Sequence, residues 1–303
     1  MTQTKPEAAV ERILVATDFS TTAEIALHHA VEIAKRHGAT IELIHVIAWL
    51  ESWLSPLKAA EDFTDRVKDL ATERLTKLAD SLAGRGVEIA TRVGLGQPSQ
   101  AILKALEETA ADLLVLGTRG SGGFPQLHLG STAERLLQSV HGPILSVHPD
   151  EAAELDPATV LIPTDLSDDA EIALDCVERF FGADPDRRLV LLHAFHLPAD
   201  YGSHMATPGW QRYLTSAVGL ARENLERLST ELRQRGLGVD AVVQEGSPAH
   251  AVIDQAKSRQ VDLIAMATQG RSTLAQLFLG SAARRVVQRA ACPVLTVRRP
   301  AQD

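Results

Sequence analysis

The feature that most constrains this chain is that it repeats itself. Thr17-Asp18-Phe19-Ser20 is matched by Thr164-Asp165-Leu166-Ser167, and Ala23-Glu24-Ile25-Ala26-Leu27 recurs identically as Ala170-Glu171-Ile172-Ala173-Leu174, both at an offset of 147. His45 pairs with His193 at an offset of 148. Gly96-Gln97-Pro98 pairs with Gly246-Ser247-Pro248 at 150, and Gly120, Gly130-Ser131 and Pro143 pair with Gly270, Gly280-Ser281 and Pro293 at the same offset. Self-similarity of this kind marks a duplicated structural unit. The length of 303 residues then reads as two domains of ordinary size. The expected domains are 1–149 and 157–303, joined by a short acidic stretch between Pro149 and Pro157 that carries Asp150, Glu151, Glu154 and Asp156.

Each half alternates apolar runs with amphipathic segments. In the first, Ile13-Leu14-Val15-Ala16 reads as a buried strand. Ala23, Ala26, Leu27, Ala30, Val31 and Ala34 follow at helical spacing. Thr21-x-x-Glu24 reads as a capping box, echoed by Asp168-x-x-Glu171, and Gly38 as the helix stop. Ile41 to Ile47 is a second strand, Phe63 to Leu82 a long helix, and Val87 to Val93 a third strand. Pro98 opens a helix to Thr109, and Leu113 to Leu116 is a fourth strand. A glycine-bearing loop, a helix from Ser131 to Ser139 and a strand from Pro143 to Val147 complete the half. Strand and helix in strict alternation predict an α/β fold: two tandem Rossmann-like domains, each a five-stranded doubly wound parallel sheet in the order 3-2-1-4-5. In such sheets ligands sit beyond the carboxyl ends of the strands where the order reverses, here between strands 1 and 4. Thr17-Asp18 ends strand 1 and Gly117 ends strand 4, so the two most distinctive motifs converge.

The loop after strand 4 reads Gly117-Thr118-Arg119-Gly120, nine residues, then Gly130-Ser131. Glycines there let backbone amides approach a ligand and adopt positive φ. Ser131 falls where a helix begins, and free amides with the positive end of the helix dipole make a seat for phosphate. The spacing is neither the Walker loop nor the dinucleotide fingerprint.

Composition narrows the partners. A formal charge of −9, with aromatics at 4%, offers neither the basic surface nor the stacking platforms that nucleic acids need. The same charge disfavours an anionic membrane surface, and no apolar run reaches the roughly 20 residues of a spanning helix. Cys176 and Cys292 are too few for a disulfide framework or a cysteine zinc site. Met1 to Glu11 lacks the apolar core of a secretory signal, so a cytoplasmic location is expected. His193-x2-His196 with His204 is a poor metal set, because an odd step along a strand turns the two side chains to opposite faces. Leu50-Trp53-Leu54-Leu57 reads as core or interface packing rather than membrane contact.

With these residues in place the chain resembles the universal stress protein family over nearly its whole length, as two tandem copies. The resemblance rests on Thr17-Asp18-x-Ser20, His45-Val46 at the end of strand 2, Gly96-x-Pro98, and the Gly117/Gly120/Gly130-Ser131 spacing. It implies binding of an adenine nucleotide, ATP or else AMP or ADP, with Mg²⁺ as an optional companion. It implies that Thr17 and Asp18 end strand 1 at the ribose, that the backbone of Val46 meets the adenine, and that Gly117, Arg119, Gly120, Gly130, Ser131 and Thr132 surround the phosphates. In the second half the corresponding residues are Thr164, Asp165, Ala194, Ala267, Gly270, Gly280 and Ser281. There Ala267 replaces Gly117, Ala194 replaces Val46, and Pro163 replaces Ala16. The resemblance further implies that the fifth strands join the two halves within one chain, and it is compatible with a homodimer of whole chains.

Several of these residues also have plainer readings. Ser131 could be a helix cap with its own Ser131-x-x-Glu134 box, Asp18 could hold the strand-to-helix turn, and Gly117 could be a packing glycine. His45 and His193 read as part-buried strand-end residues. The functional expectation is a nucleotide-binding stress-response regulator. The alternatives are a slow ATP hydrolase, for which no base is evident beyond Asp18, and an interaction module with decayed sites.

Overall fold

Runs of Val, Ile and Leu bounded by polar turns form strands buried on both faces, as a parallel sheet requires. The computed structural model describes residues 10–48, 59–120, 129–149, 155–167, 169–196, 208–267 and 280–298. The chain divides into two compact units, with the main break between Leu155 and Asp156 and with Arg179–Phe181 grouped with the first.

The first unit runs β1 (Arg12–Ala16), α1 (Thr21–His37), β2 (Thr40–Ile47), α2 (Ala59–Ser81), β3 (Ile89–Leu95), α3 (Pro98–Thr109), β4 (Leu113–Gly117), α4 (Ser131–Ser139) and β5 (Ile144–Val147). Its strand order is β3-β2-β1-β4-β5. Every neighbouring pair within it is parallel. The second unit runs β6 (Thr159–Pro163), α5 (Asp169–Phe181), β7 (Arg188–Phe195), α6 (Pro208–Gln234), β8 (Gly238–Glu245), α7 (Pro248–Ser258), β9 (Leu263–Ala267), α8 (Ser281–Arg289) and β10 (Val294–Val297). Its order, β8-β7-β6-β9-β10, is the same topology. The doubly wound fold in two copies is therefore as the sequence implies. The third strand is displaced from the expected Val87–Val93 to Ile89–Leu95, because the αL glycines Gly84 and Gly86 prolong the preceding turn.

Ile13, Leu14 and Val15 of β1 and Leu113, Leu114 and Val115 of β4 are at most 1% exposed. Each such side chain stabilises the fold by about 1.5–3 kcal/mol. Helix α1 stops where Gly38 takes φ 67 and returns its amide to Ala34. Gly96, at φ 98, turns the chain into α3, whose first residue is Pro98. Register decides where the loops emerge: Ala16 of β1 lies opposite both Ile44 of β2 and Leu116 of β4. Thr17 and Gly117 therefore leave the sheet side by side at the point where strand order reverses. Among the described residues, no helix is long and apolar enough to cross a membrane.

Candidate functional site

The turn after β1 is built by its own side chains. Thr17 stays on the sheet through its amide, which donates to Ile44 O at 2.9 Å. The Thr17 hydroxyl then accepts from the Phe19 amide at 3.0 Å, and Asp18 Oδ1 accepts from the Ser20 amide at 3.1 Å. Between them Phe19 sits at φ 62, a left-handed conformation that bulky residues seldom adopt. The Ser20 hydroxyl caps α1 by accepting from the Ala23 amide at 3.3 Å. This corrects the Thr21-x-x-Glu24 capping box: the tight turn delivers the chain into the helix one residue early, so Ser20 is the cap. The echo at Asp168 lies outside the described residues.

Asp18 thus holds the turn with one oxygen. The other, Oδ2, lies 2.5 Å from where a Cβ on Gly120 would stand. A side chain at position 120 would fit only if that carboxylate moved aside. Gly117 is also tight, since a Cβ there would meet Thr22 Cγ2 at 3.1 Å and the Ala23 amide nitrogen at 3.4 Å. The packing reading of Gly117 therefore holds alongside its place in the cavity wall. None of Gly117, Gly120 and Gly130 has the positive φ expected of loop glycines. Close approach, not left-handed backbone, is what Gly117 and Gly120 supply.

The glycine loop is pinned at both ends. The Thr118 amide and hydroxyl both donate to Val147 O, at 2.7 and 3.0 Å, and the Gly130 amide donates to Thr118 O at 2.9 Å. Gly130, at φ −59 and ψ 139, is the N-cap of α4, and its carbonyl accepts the first helical bond from Glu134 at 2.9 Å. Ser131 is therefore the first helical residue and not the cap, which corrects the Ser131-x-x-Glu134 box. The amides of Ser131, Thr132 and Ala133 have no intrahelical acceptor, and no side chain caps this helix.

These pieces enclose a cavity of about 500 Å³. Thr17, Asp18, Val46, Gly117, Arg119, Gly120, Gly130, Ser131 and Thr132, all named from the sequence of the first half, line it. The sequence reading missed the apolar wall: Ala16, Ile44, Pro98, Ile102, Leu116, Leu129 and Leu136. It also missed Thr118, whose anchoring role shows only in the fold. His45 lines the cavity as well, with Nδ1 2.9 Å from Thr17 O. A carbonyl only accepts, so Nδ1 carries the hydrogen and Nε2 is the acceptor in neutral His45. One face is thus apolar, one end carries a carboxylate, and the far end presents helix-terminal amides beside Arg119. Such an arrangement suits a ligand with a flat apolar part, hydroxyls and an anionic tail.

The second repeat rebuilds the same turn. Leu166 sits at φ 65, with the Thr164 hydroxyl accepting from the Leu166 amide at 2.9 Å and Asp165 Oδ1 from the Ser167 amide at 3.0 Å. His193 Nδ1 lies 2.9 Å from Thr164 O. Gly280 caps α8 at φ −55 and ψ 141, and Ser281 is the first helical residue. Ala267 closes β9, and Ala194 of β7 stands opposite Gln244, where the first repeat has Val46 opposite Gly94. Gly270 lies outside the described residues, as do His204 and the Leu50–Leu57 stretch.

The fold and the site define a duplicated doubly wound α/β protein with a ligand-sized cavity at the switch point of its first copy. The family model described as the universal stress protein family matches residues 9–148 and again 158–298. A universal stress protein of Mycolicibacterium smegmatis is 29% identical over 292 residues, covering 94% of this chain and 96% of that protein. One from Methanocaldococcus jannaschii is 32% identical over 142 residues, covering 46% of this chain and 84% of its own length. The crystal structure of a universal stress protein from Archaeoglobus fulgidus superposes with a TM-score of 0.69 at 21% identity, over 96% of this chain and 97% of that one. The chain belongs to the universal stress protein family, and is of the tandem type, with one family domain in each half.

Proposed function

We propose that the protein is an adenine-nucleotide-binding stress-response regulator whose first repeat holds ATP, or AMP or ADP in its place. The observation that carries this reading is the single cavity wall shared by Asp18, Gly120 and the first turn of α4. Its volume of about 500 Å³ falls within the about 300–1,000 Å³ typical of small-molecule sites. The roles follow from chemistry: the Asp18 carboxylate accepts from ribose hydroxyls, and the amides of Ser131, Thr132 and Ala133 with Arg119 meet phosphate oxygens. The apolar side chains of Ile44, Val46 and Ile102 flank the base. A Mg²⁺ accompanying the phosphates would have the Asp18 carboxylate as its candidate protein ligand.

A net charge of −9 makes local donors essential, because the molecule as a whole repels an anion. Binding at the second repeat through Asp165, Ala194, Ala267, Gly270, Gly280 and Ser281, joining of the repeats through their fifth strands, homodimer formation and a cytoplasmic location belong to the same proposal and rest on the family likeness. The test is to purify the protein without added ligand, denature it, and identify released small molecules by mass spectrometry. An adenine nucleotide in near-stoichiometric amount supports the reading. Its absence, together with no measurable affinity for added ATP, overturns it. Incubation with ATP and Mg²⁺, followed for ADP, separates a binding protein from a hydrolase.

A further inference from the structure

The left-handed Phe19 is a cost the fold must offset. Side chains in that region of backbone space persist only where their surroundings hold them. Two side chains from outside the turn do so. The Phe19 ring lies 4.4 Å from the His45 ring, centroid to centroid, at 40°. The guanidinium carbon of Arg74, on α2, lies 4.1 Å from the centroid of the same Phe19 ring. His45 in turn lines the cavity and meets Thr17 O. A continuous path of contacts therefore runs from α2 through Phe19 and His45 to the turn that presents Asp18.

The second repeat has the same turn without this clamp. Helix α6 aligns with α2 through its buried residues: Leu75 and Leu225 are both 0% exposed, and Leu82 and Leu232 are 4% and 3%. In that register Arg74 corresponds to Asn224, and Phe19 corresponds to Leu166. At these two positions neither an aromatic face nor a cation is present.

We propose that Arg74 is a positioning residue for the first cavity: through Phe19 it holds the Thr17–Ser20 turn in the conformation that presents Asp18. Arg74 does not line the cavity itself. The stack makes α2 the element that sets the strength of the first site, and the second repeat lacks that control. The effect on ligand affinity rests on the nucleotide reading; the effect on the turn does not.

The test uses the full-length protein and the variants R74K, R74M and F19L, with the double variant F19L/R74M. Two quantities are read: hydrogen exchange of the Phe19 and Ser20 amides by NMR, and the dissociation constant for ATP by calorimetry. An exposed cation–π contact is weak, so R74M is expected to speed exchange at both amides about two- to fivefold. ATP affinity is expected to weaken by a similar factor. R74K, which keeps a cation, restores most of both. R74M adds nothing in the F19L background, as a pairwise cycle requires. The Leu166 and Ser167 amides of the second repeat are unaffected. Unchanged exchange in R74M, or an equal R74M effect with Leu at position 19, overturns the proposal. Exchange that responds in a protein that takes up no ATP leaves the clamp standing and removes the nucleotide reading.

Discussion

Gly120 offers the most direct way to perturb the site without replacing a polar group. Its missing Cβ would stand 2.5 Å from Asp18 Oδ2 and 3.5 Å from Asp18 Cγ, with no other heavy atom within 4 Å among the described residues beyond its chain neighbours. Among the described residues, a Gly120→Ala substitution therefore collides with one carboxylate oxygen. The oxygen must retreat by about 0.9 Å to reach ordinary contact distance, and Asp18 can do so by rotating about its side-chain bonds. Rotation strains the Asp18 Oδ1 bond to the Ser20 amide and turns the carboxylate away from the cavity. Overpacking of this kind costs about 1–3 kcal/mol. Because the yielding group is a side-chain end, most of that cost falls on ligand binding and little on folding. The expected result is ATP affinity reduced about tenfold, equivalent to about 1.4 kcal/mol, with Tm lowered by less than about 4 °C. Calorimetric titration and thermal unfolding measure the two. The cycle with Asp18→Ala decides the mechanism, since G120A should cost almost nothing once the carboxylate is gone. Wild-type affinity in G120A, or an undiminished G120A effect in the D18A background, refutes the reasoning.

Ser20→Ala removes the hydroxyl that caps α1 and is expected to cost about 1 kcal/mol, read as a fall in Tm of about 2–4 °C. Gly130→Ala is expected to leave Tm nearly unchanged, because Gly130 already sits at φ −59 and its Cβ would meet Thr118 O at an ordinary 3.4 Å. In the second repeat, the hydrogen bond from Arg188, ahead of the charge of Arg259, holds the Asp240 carboxyl below its ordinary value of 3.8. A folded value below the unfolded one means stability that is present above that range and lost as pH falls through the depressed folded value. Denaturant midpoints should therefore fall more steeply below about pH 4 in the wild type than in D240N, by a small margin because the pair is largely exposed.

The duplication and the alternation of elements were legible because both depend on patterns that survive in one dimension: a fixed offset and a period of apolar residues. The switch point was legible for the same reason, since strand order fixes which two strand ends meet. Nine residues of the first half, named from the switch point together with the family resemblance, all line one cavity. The apolar wall was not legible, because Ile44, Ile102 and Leu136 satisfy the same periodicity as core residues and nothing local distinguishes a cavity from packed interior. The helix caps shifted by a residue because their positions depend on bonds made by Asp18 and Gly130, not on local propensity alone. The motif glycines were correctly located for a reason only partly correct. Their backbone is ordinary, and the demand for glycine at position 120 comes from a carboxylate about a hundred residues away in the chain. The stack of Arg74 on Phe19 is likewise a tertiary contact with no local signature, and a left-handed phenylalanine runs against every local expectation.

The central claim is that the cavity of the first repeat is an adenine-nucleotide site built on Asp18, Gly120 and the start of α4. Calorimetric titration of ATP into the intact protein, alongside D18A, tests it most directly. Saturable binding is expected of the wild type, weakened about tenfold or more in D18A, as follows from loss of a charged hydrogen-bonding group. No binding by the wild type, or binding that D18A leaves unchanged, would contradict it.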